Sequence, residues 1–247
     1  MFNFFCDNKS RQRDSYFITG ADYNHIKNVL RMNIGDSFLV SCGDTSDLCE
    51  IISLDNDTVI AKIIEENYQN TNLPIKIYLF QGLPKADKME LIIQKAVELG
   101  VYEIIPTEME HCVVKLEEKK KPAKVSRWQA IAESAAKQSK RNSIPTVAEV
   151  LSYKSALKKA CELDVLLVPY ENERGMAATK EALSKIKNGM SVGIIIGPEG
   201  GFSEKEIVAA KELQGDIISL GKRILRTETA AITAVGMCML YSEMNLE

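Results

Sequence analysis

The chain has 247 residues, 45% of them hydrophobic and 26% charged, with a formal net charge of −3 at pH 7. That length can bury one large core or two ordinary ones, and the acidic balance argues against a protein that coats nucleic acid non-specifically. No apolar run is long enough to span a bilayer and the N-terminus lacks the pattern of a secretory signal, so we expect a cytoplasmic protein without a membrane partner.

Cysteine and histidine usage indicates neither a disulfide framework nor a metal site. The six cysteines form no CxxC pair, which favours reduced thiols. Neither His25 nor His111 has a cysteine or histidine partner at zinc spacing. We therefore expect no metal.

The first 70 residues alternate short apolar runs with polar turns, a pattern typical of a small antiparallel β-barrel. One helix is predicted within them, from Ala21 to Leu30, with Tyr23, Ile26, Val29 and Leu30 on one face. The predicted strands are Ser15–Ile18, Phe38–Val40, Cys49–Ile52 and Val59–Ile64.

A polar stretch, Gln69 to Pro74, is predicted to link this region to a second domain that begins near Ile75. A helix is predicted from Asp87 to Leu99, because apolar residues recur there at helical spacing. Asp87 is its N-cap, and Gly100 lies just past its end. The flanking strands are predicted at Ile75–Phe80 and Val101–Pro106, followed by a loop at 107–121 and a helix at Ala123–Ser139 in which Trp128 faces the core.

Strand-like and helical segments alternate through the rest of the chain, which predicts a parallel sheet covered by helices, an α/β fold. The segments are Thr146–Val150, Ser155–Cys161, Val165–Val168, Ala177–Ile186, Val192–Ile196 and Ile217–Leu220, with a final apolar helix at Ala230–Tyr241.

The stretch Gly197-Pro-Glu-Gly-Gly201 directly follows the apolar run Val192–Ile196. Ser203 and Glu206 then have capping-box spacing, which predicts the start of a helix. Glycines without a Cβ allow the backbone to approach a bound group closely. Because ligands of parallel α/β sheets bind at the carboxyl ends of strands, we expect a ligand at this turn.

A second stretch, Leu220-Gly-Lys-Arg-Ile-Leu-Arg-Thr-Glu-Thr-Ala-Ala231, follows the next apolar run. Together, IGPEGGFS and LGKRILRTETAA closely resemble the paired signature of the RsmE-like family, and GLPKxDKxExIIQKxxELG of that family is nearly complete from Gly82 to Gly100. The family belongs to the SPOUT methyltransferases, which use S-adenosylmethionine and methylate N3 of a uridine in small-subunit (16S) ribosomal RNA. The resemblance implies a parallel-sheet SPOUT domain with a deep trefoil knot at 75–247, preceded by a PUA-like RNA-binding domain at 1–70.

The resemblance further implies that three loops hold S-adenosylmethionine between them. These loops follow the strands that end near Val168, Ile196 and Leu220. The predicted cofactor-binding residues are Val168, Tyr170, Ile196, Gly197, Glu199, Gly200, Gly201, Leu220, Gly221, Ile224, Leu225, Thr229 and Ala230.

Two residues are candidates for catalysis. Arg226 could stabilise the negative charge that grows on the uracil oxygens, and Glu228 could accept the N3 proton or orient Arg226. The alternative for Thr227-Glu-Thr229 is helix capping and favourable interaction with the helix dipole.

RNA contact is predicted for a set of basic and polar side chains near the two ends of the chain and after the long central helix. Arg31 lies in an HxxxVLRxxxGD segment similar to the family's PUA-like domain; alternatively, it simply ends its helix favourably. The set is Arg11, Arg13, Lys27, Arg31, Gln138, Arg141 and Arg223.

The expected partners are 16S ribosomal RNA in the 30S subunit and, from the family and the apolar final helix, a second copy of the chain. Two alternatives remain at this stage. The chain could be a related SPOUT enzyme with another target nucleotide, or a noncatalytic ribosome-assembly factor that binds RNA.

Overall fold

The computed structural model describes residues 1–55, 57–173 and 175–246. Asn56, Arg174 and Glu247, which fall within the predicted domain ranges, lie outside the described residues. The chain forms two compact units: residues 1–72 and 136–144 make the first, and residues 73–135 with those from 145 onward make the second.

The first unit is built on a six-stranded sheet. Its strands are β1 (Asn3–Phe5), β2 (Arg11–Gln12), β3 (Ser15–Thr19), β4 (Ser37–Cys42), β5 (Thr45–Asp55) and β6 (Thr58–Glu65), in the order β1-β4-β5-β6-β3-β2. All pairs are antiparallel except β1 with β4. That parallel pair was not predicted; it brings Phe4 into the core, edge-on to Phe38 at 5.2 Å between ring centroids.

The predicted helix at 21–30 is split into two helical types. An α-helix, α1 (Gly20–Asn24), runs into a π-helical turn at His25–Val29, where the backbone N–H of Leu30 donates to the carbonyl of His25 at 2.9 Å. A π-turn takes more residues than an α-turn and therefore rotates later side chains. Tyr23 and Ile26 are buried, but Val29 is 69% exposed, so the prediction that all three share one face is wrong.

Residues 136–144 belong to the first unit because their backbone and side chains bond to its strands and to the stretch after β6. The carbonyl of Arg141 accepts from Asn3 Nδ2 at 3.0 Å, and Asn142 Oδ1 accepts from the backbone N–H of Thr71 at 2.7 Å. Sequence proximity could not indicate this, since these partners lie about seventy or more positions away.

The second unit is an α/β fold with a parallel sheet, as predicted. Its strands are β7 (Lys76–Gly82), β8 (Glu103–Glu108), β9 (Thr146–Val147), β10 (Leu151–Ser152), β11 (Val165–Pro169), β12 (Ser191–Ile196) and β13 (Asp216–Ile218). Every pair is parallel, in the order β10-β8-β7-β12-β11-β13, with β9 also on β8.

Helices cover this sheet. The last helix does not pack beside β13, the strand that precedes it in the chain, but against more central strands. They are α2 (Lys88–Glu98), α3 (Lys121–Gln138), α4 (Tyr153–Ala160), α5 (Ala177–Ser184), α6 (Glu204–Glu212) and α7 (Thr227–Leu246). Trp128 of α3 is 5% exposed, which confirms it as a core residue. Although β13 is at the sheet edge, α7 packs against β7, β12 and α2.

The described residues contain neither a helix suited to crossing a membrane nor a cluster of metal-binding side chains. None of their helices combines the length and apolar character needed to cross a membrane. No group of three or more histidine, cysteine or acidic side chains is placed to hold a metal ion in the described part of the chain.

Candidate functional site

A cavity of about 530 Å³ lies where the neighbouring parallel strands β11, β12 and β13 end. Three segments meet there: the loop after β11, the glycine turn Gly197–Gly201 after β12, and the arginine loop 219–226 after β13. Lining residues are Lys88, Pro169, Tyr170, Glu171, Ile196, Gly197, Pro198, Glu199, Gly200, Gly201, Phe202, Ser219, Leu220, Gly221, Lys222, Arg223, Ile224, Leu225, Arg226, Thr227 and Ala230.

The glycine turn requires glycine at two positions for different reasons. Gly201 has φ +69°, a left-handed conformation that disfavours side chains, and its N–H donates to the carbonyl of Pro198 at 3.0 Å. At Gly200 a Cβ would meet the backbone oxygen of His111 at 2.9 Å. The turn is therefore folded tightly against a neighbouring loop and exposes backbone to the cavity.

The helix after the turn begins as its sequence predicts. Ser203 Oγ accepts from the backbone N–H of Glu206, while Glu206 Oε2 accepts from that of Ser203 at 2.8 Å, which completes the capping box. The other oxygen of Glu206 accepts from the backbone N–H of Glu110 at 2.9 Å. One buried carboxylate thus anchors both α6 and the loop that packs on the glycine turn.

A buried hydrogen-bond relay ties three elements together beneath the cavity. Gln81 Nε2, at the end of β7, donates to Thr227 Oγ1 at 3.0 Å and to the carbonyl of Gly82 at 2.9 Å. Thr227, the first residue of α7, donates in turn to the carbonyl of Gly197 at 2.7 Å. The relay fixes the start of α7 against the glycine turn.

Other contacts hold the first and third loops in place. Tyr170 packs edge-on against Phe202, with ring centroids 6.3 Å apart, and its backbone N–H donates to the carbonyl of Ile218 at 3.0 Å. Thr179 Oγ1 donates to the carbonyl of Ser219 at 2.8 Å and accepts from the N–H of Ser219 at 3.1 Å. The loops are thus bound to each other and to α5.

The rim of the cavity carries charges of both signs. Lys88 Nζ lies 3.0 Å from Glu199 Oε1 and 3.3 Å from Glu228 Oε2. Burial acts to raise the pKa of Glu199, but the backbone N–H of Lys85 and the Lys88 ammonium outweigh it, and the pKa falls below its ordinary value. The nearby carboxylates, Glu199 first and then Glu228, outweigh burial and raise the pKa of Lys88, which is therefore cationic at neutral pH.

Most of the predicted cofactor-binding residues line the cavity. Val168 and Thr229 do not: Val168 is fully buried within β11, and Thr229 is exposed in the first turn of α7. Of the predicted catalytic pair, Arg226 lines the cavity. Glu228 does not line it but forms an ion pair with Lys88, which does.

Sequence reasoning did not assign three lining residues to the site: Lys88, Phe202 and Ser219. Lys88 lies within the GLPKxDK segment, beside a residue interpreted as a helix cap. Five further lining residues lie in the loops predicted to hold the ligand but were not singled out: Pro169, Glu171, Pro198, Lys222 and Thr227.

The residues predicted to contact RNA are distributed unevenly between surface and interior. Arg13, Lys27, Arg31, Gln138 and Arg223 are exposed, and Arg223 lines the cavity of the second unit.

The two remaining arginines are engaged within the first unit. Arg11 forms ion pairs with Asp47 and Glu66, so RNA phosphates would have to compete with two carboxylates. Arg141 is 6% exposed, and burial lowers the pKa of its guanidinium to about 10. This guanidinium therefore has little exposed surface for a contact with RNA.

Comparison with known proteins gives matches along nearly the whole chain. Residues 71–239 match the sequence model of an RNA methyltransferase domain, and residues 18–64 that of an RNA methyltransferase PUA domain. The Bacillus subtilis protein called ribosomal RNA small subunit methyltransferase E is 41% identical over 93% of this chain and 91% of its own length. Its Mesomycoplasma hyopneumoniae counterpart is 35% identical over 97% and 99% of the two chains.

A solved structure gives the same result in three dimensions. The crystal structure of ribosomal RNA small subunit methyltransferase E from Neisseria gonorrhoeae bound to S-adenosylmethionine superposes with a TM-score of 0.81. The two sequences are 29% identical, and the aligned residues cover 97% of each chain.

Proposed function

Because this chain belongs to the RNA methyltransferase family whose domain it matches over residues 71–239, we propose that it methylates N3 of one uridine in 16S ribosomal RNA. It is an S-adenosylmethionine-dependent methyltransferase of small-subunit ribosomal RNA. We further propose that it acts during or after assembly of the 30S subunit.

The cavity at the strand ends is the observation that carries the proposal. Its volume of about 530 Å³ lies within the usual range for a small-molecule site. Side chains of Ile196, Leu220 and Leu225 offer apolar walls for an adenine ring, and the glycine turn offers backbone groups for hydrogen bonds. These residues fit S-adenosylmethionine, which supplies an activated methyl group when bound.

Arg226 and Glu228 would carry the chemistry of the uridine. Methylation of N3 requires loss of the imide proton, which leaves negative charge on the flanking oxygens. Arg226, which is exposed in the cavity wall, would stabilise that charge, and Glu228, in the first turn of α7, would accept the proton. Holding the methyl group in line with N3 would supply much of the rate.

The target base must be unpaired or extruded, because N3 of a paired uridine lies inside the base pair. We assign RNA binding to a PUA-like domain at residues 1–70 and methyl transfer to residues 75–247. Exposed Arg13, Lys27 and Arg31 support contact with phosphates. Because the substrate is ribosomal RNA, we place the protein in the cytoplasm.

The proposal includes the SPOUT class with its deep trefoil knot. The path of the chain supports this: β13 lies at the sheet edge beyond β11, yet α7 packs on β7 and β12. The arginine loop must therefore return across the ends of β11 and β12 before the helix begins.

A homodimer is also proposed, with α7 at the interface. Leu240 and Met244 lie one helical turn apart on this helix and are 51% and 73% exposed, so they form an apolar stripe that a second copy could cover. Sedimentation analysis should give a dimer for the wild type and a shift towards monomer for Leu240→Glu. A wild type that sediments as a monomer would exclude the dimer.

The reaction is tested with methyl-labelled S-adenosylmethionine and small subunits isolated from cells that lack the enzyme, followed by nucleoside mass spectrometry. Labelled 3-methyluridine is the expected product. Label in another nucleoside would retain the enzyme class and refute the uridine specificity. Cofactor binding without any transfer would favour an assembly factor.

A further inference from the structure

Lys88 connects two parts of the site that are far apart in sequence. It begins α2, where its ammonium lies 3.0 Å from Glu199 of the glycine turn and 3.3 Å from Glu228 in the first turn of α7. Its side chain is 30% exposed and lines the cavity. The cation therefore sits between the turn that follows β12 and the helix that follows the arginine loop.

The two carboxylates depend on Lys88 to different degrees. Glu199 Oε1 also accepts from the backbone N–H of Lys85 at 3.0 Å, so its position has a second support. Glu228 Oε2 is buried and has no hydrogen-bond partner in the described part of the chain, and its contact with Lys88 is an ion pair without hydrogen-bond geometry. Loss of Lys88 would therefore disturb Glu228 more than Glu199.

We infer that Lys88 is a positioning residue for methyl transfer, which holds the carboxylate of Glu228 in place. A carboxylate with a buried, unbonded oxygen has no other restraint on its orientation among the described contacts. The ammonium supplies that restraint and joins α7 to the glycine turn. This inference rests on the proposed methyl-transfer function. It adds Lys88 to the methyl-transfer site as a residue that acts through Glu228.

The inference predicts a separation between cofactor binding and turnover. Because Lys85 still holds Glu199, Lys88→Met should bind S-adenosylmethionine within about threefold of the wild type. Because Glu228 loses its restraint, kcat on small subunits should fall by about 10–100-fold. Lys88→Arg keeps a cation near both carboxylates and should recover part of the lost kcat.

Lys95 offers a matched control on the same helix. Its ammonium also pairs with a carboxylate, Glu98 Oε1 at 2.8 Å, and is 38% exposed, but it lies outside the cavity wall. Lys95→Met should leave both cofactor affinity and kcat unchanged.

The experiment measures cofactor affinity by calorimetry, kcat on saturating small subunits and melting temperature for the wild type and all three variants. A Lys88→Met enzyme with wild-type kcat would overturn the inference. Equal loss of cofactor affinity and kcat, without recovery in Lys88→Arg, would also overturn it, because that pattern indicates general damage to the site. A wild type that labels no nucleoside would instead refute the proposed function.

Discussion

The relay from Gln81 through Thr227 to Gly197 allows a quantitative test of how the site is held together. Thr227→Val keeps the shape of the side chain but removes its hydroxyl. Two hydrogen bonds are lost, of 3.0 Å and 2.7 Å. Each contributes about 1 kcal/mol net, and a carbonyl left without its donor adds roughly 1 kcal/mol when it is only partly buried, as at Gly197.

Thr227→Val should therefore lower the free energy of unfolding by about 2–3 kcal/mol. For a protein of this size that corresponds to a fall in melting temperature of roughly 4–12 °C, measurable by calorimetry. Thr233→Val, at an exposed position on the same helix, is the control and should change stability by no more than about 0.5 kcal/mol. A Thr227→Val protein that melts within one degree or so of the Thr233→Val control would refute the reasoning.

A double-mutant cycle with Gln81→Leu isolates the bond between the two side chains. Gln81 Oε1 is buried without a hydrogen-bond partner among the described residues, so Gln81→Leu also removes an unsatisfied acceptor and should cost less than Thr227→Val. The double variant should be more stable than the sum of the single effects predicts, by about 1 kcal/mol. Strict additivity would show that the 3.0 Å contact contributes nothing.

Three further predictions concern the cavity rim. Gly201→Ala should weaken S-adenosylmethionine binding in calorimetry, because φ is +69° and the added Cβ would lie 2.7 Å from Glu171 Oε1; unchanged affinity would contradict it. Arg226→Ala should lower kcat by about 10²–10³ with cofactor affinity unchanged, and normal turnover would remove the proposed role. Glu199→Gln should be less stable than the wild type at pH 7 in denaturant unfolding. Since the folded pKa of Glu199 lies below its ordinary 4.5, that difference should shrink as the pH falls below 4.5, and a constant difference would argue against the ion pair with Lys88.

Local patterns in the sequence were sufficient to predict elements whose stabilising contacts join residues only a few positions apart in the chain. The capping box of Ser203 and Glu206 spans three positions, and the structure contains both of its hydrogen bonds. The apolar run of β12 predicted a buried strand, because residues buried on both faces of a parallel sheet leave no polar alternation. The alternation of strand-like and helical segments predicted the parallel α/β fold, and the family signature predicted the cofactor.

Even short-range prediction failed where an alternative backbone geometry intervened. The apolar spacing of Tyr23, Ile26 and Val29 fits an α-helix, but the π-turn at His25–Val29 rotates Val29 into solvent. A prediction from helical periodicity assumes the same number of residues in every turn. Nothing in the composition of that segment indicates that one turn is π-helical.

The sequence by itself thus determined most of the strands and helices of the second unit, the glycine turn and the class of ligand. Only the tertiary structure decided which distant side chains meet. Thr227 bonds to Gln81 across 146 positions, and the backbone of Lys85 bonds to Glu199 across 114. The backbone carbonyl of Arg141 accepts from side chains of β1 and β4, which no local pattern predicts. The physical reason is that strand and helix signals reflect neighbours in the chain, whereas hydrogen bonds and ion pairs between elements depend on how the sheet orders its strands.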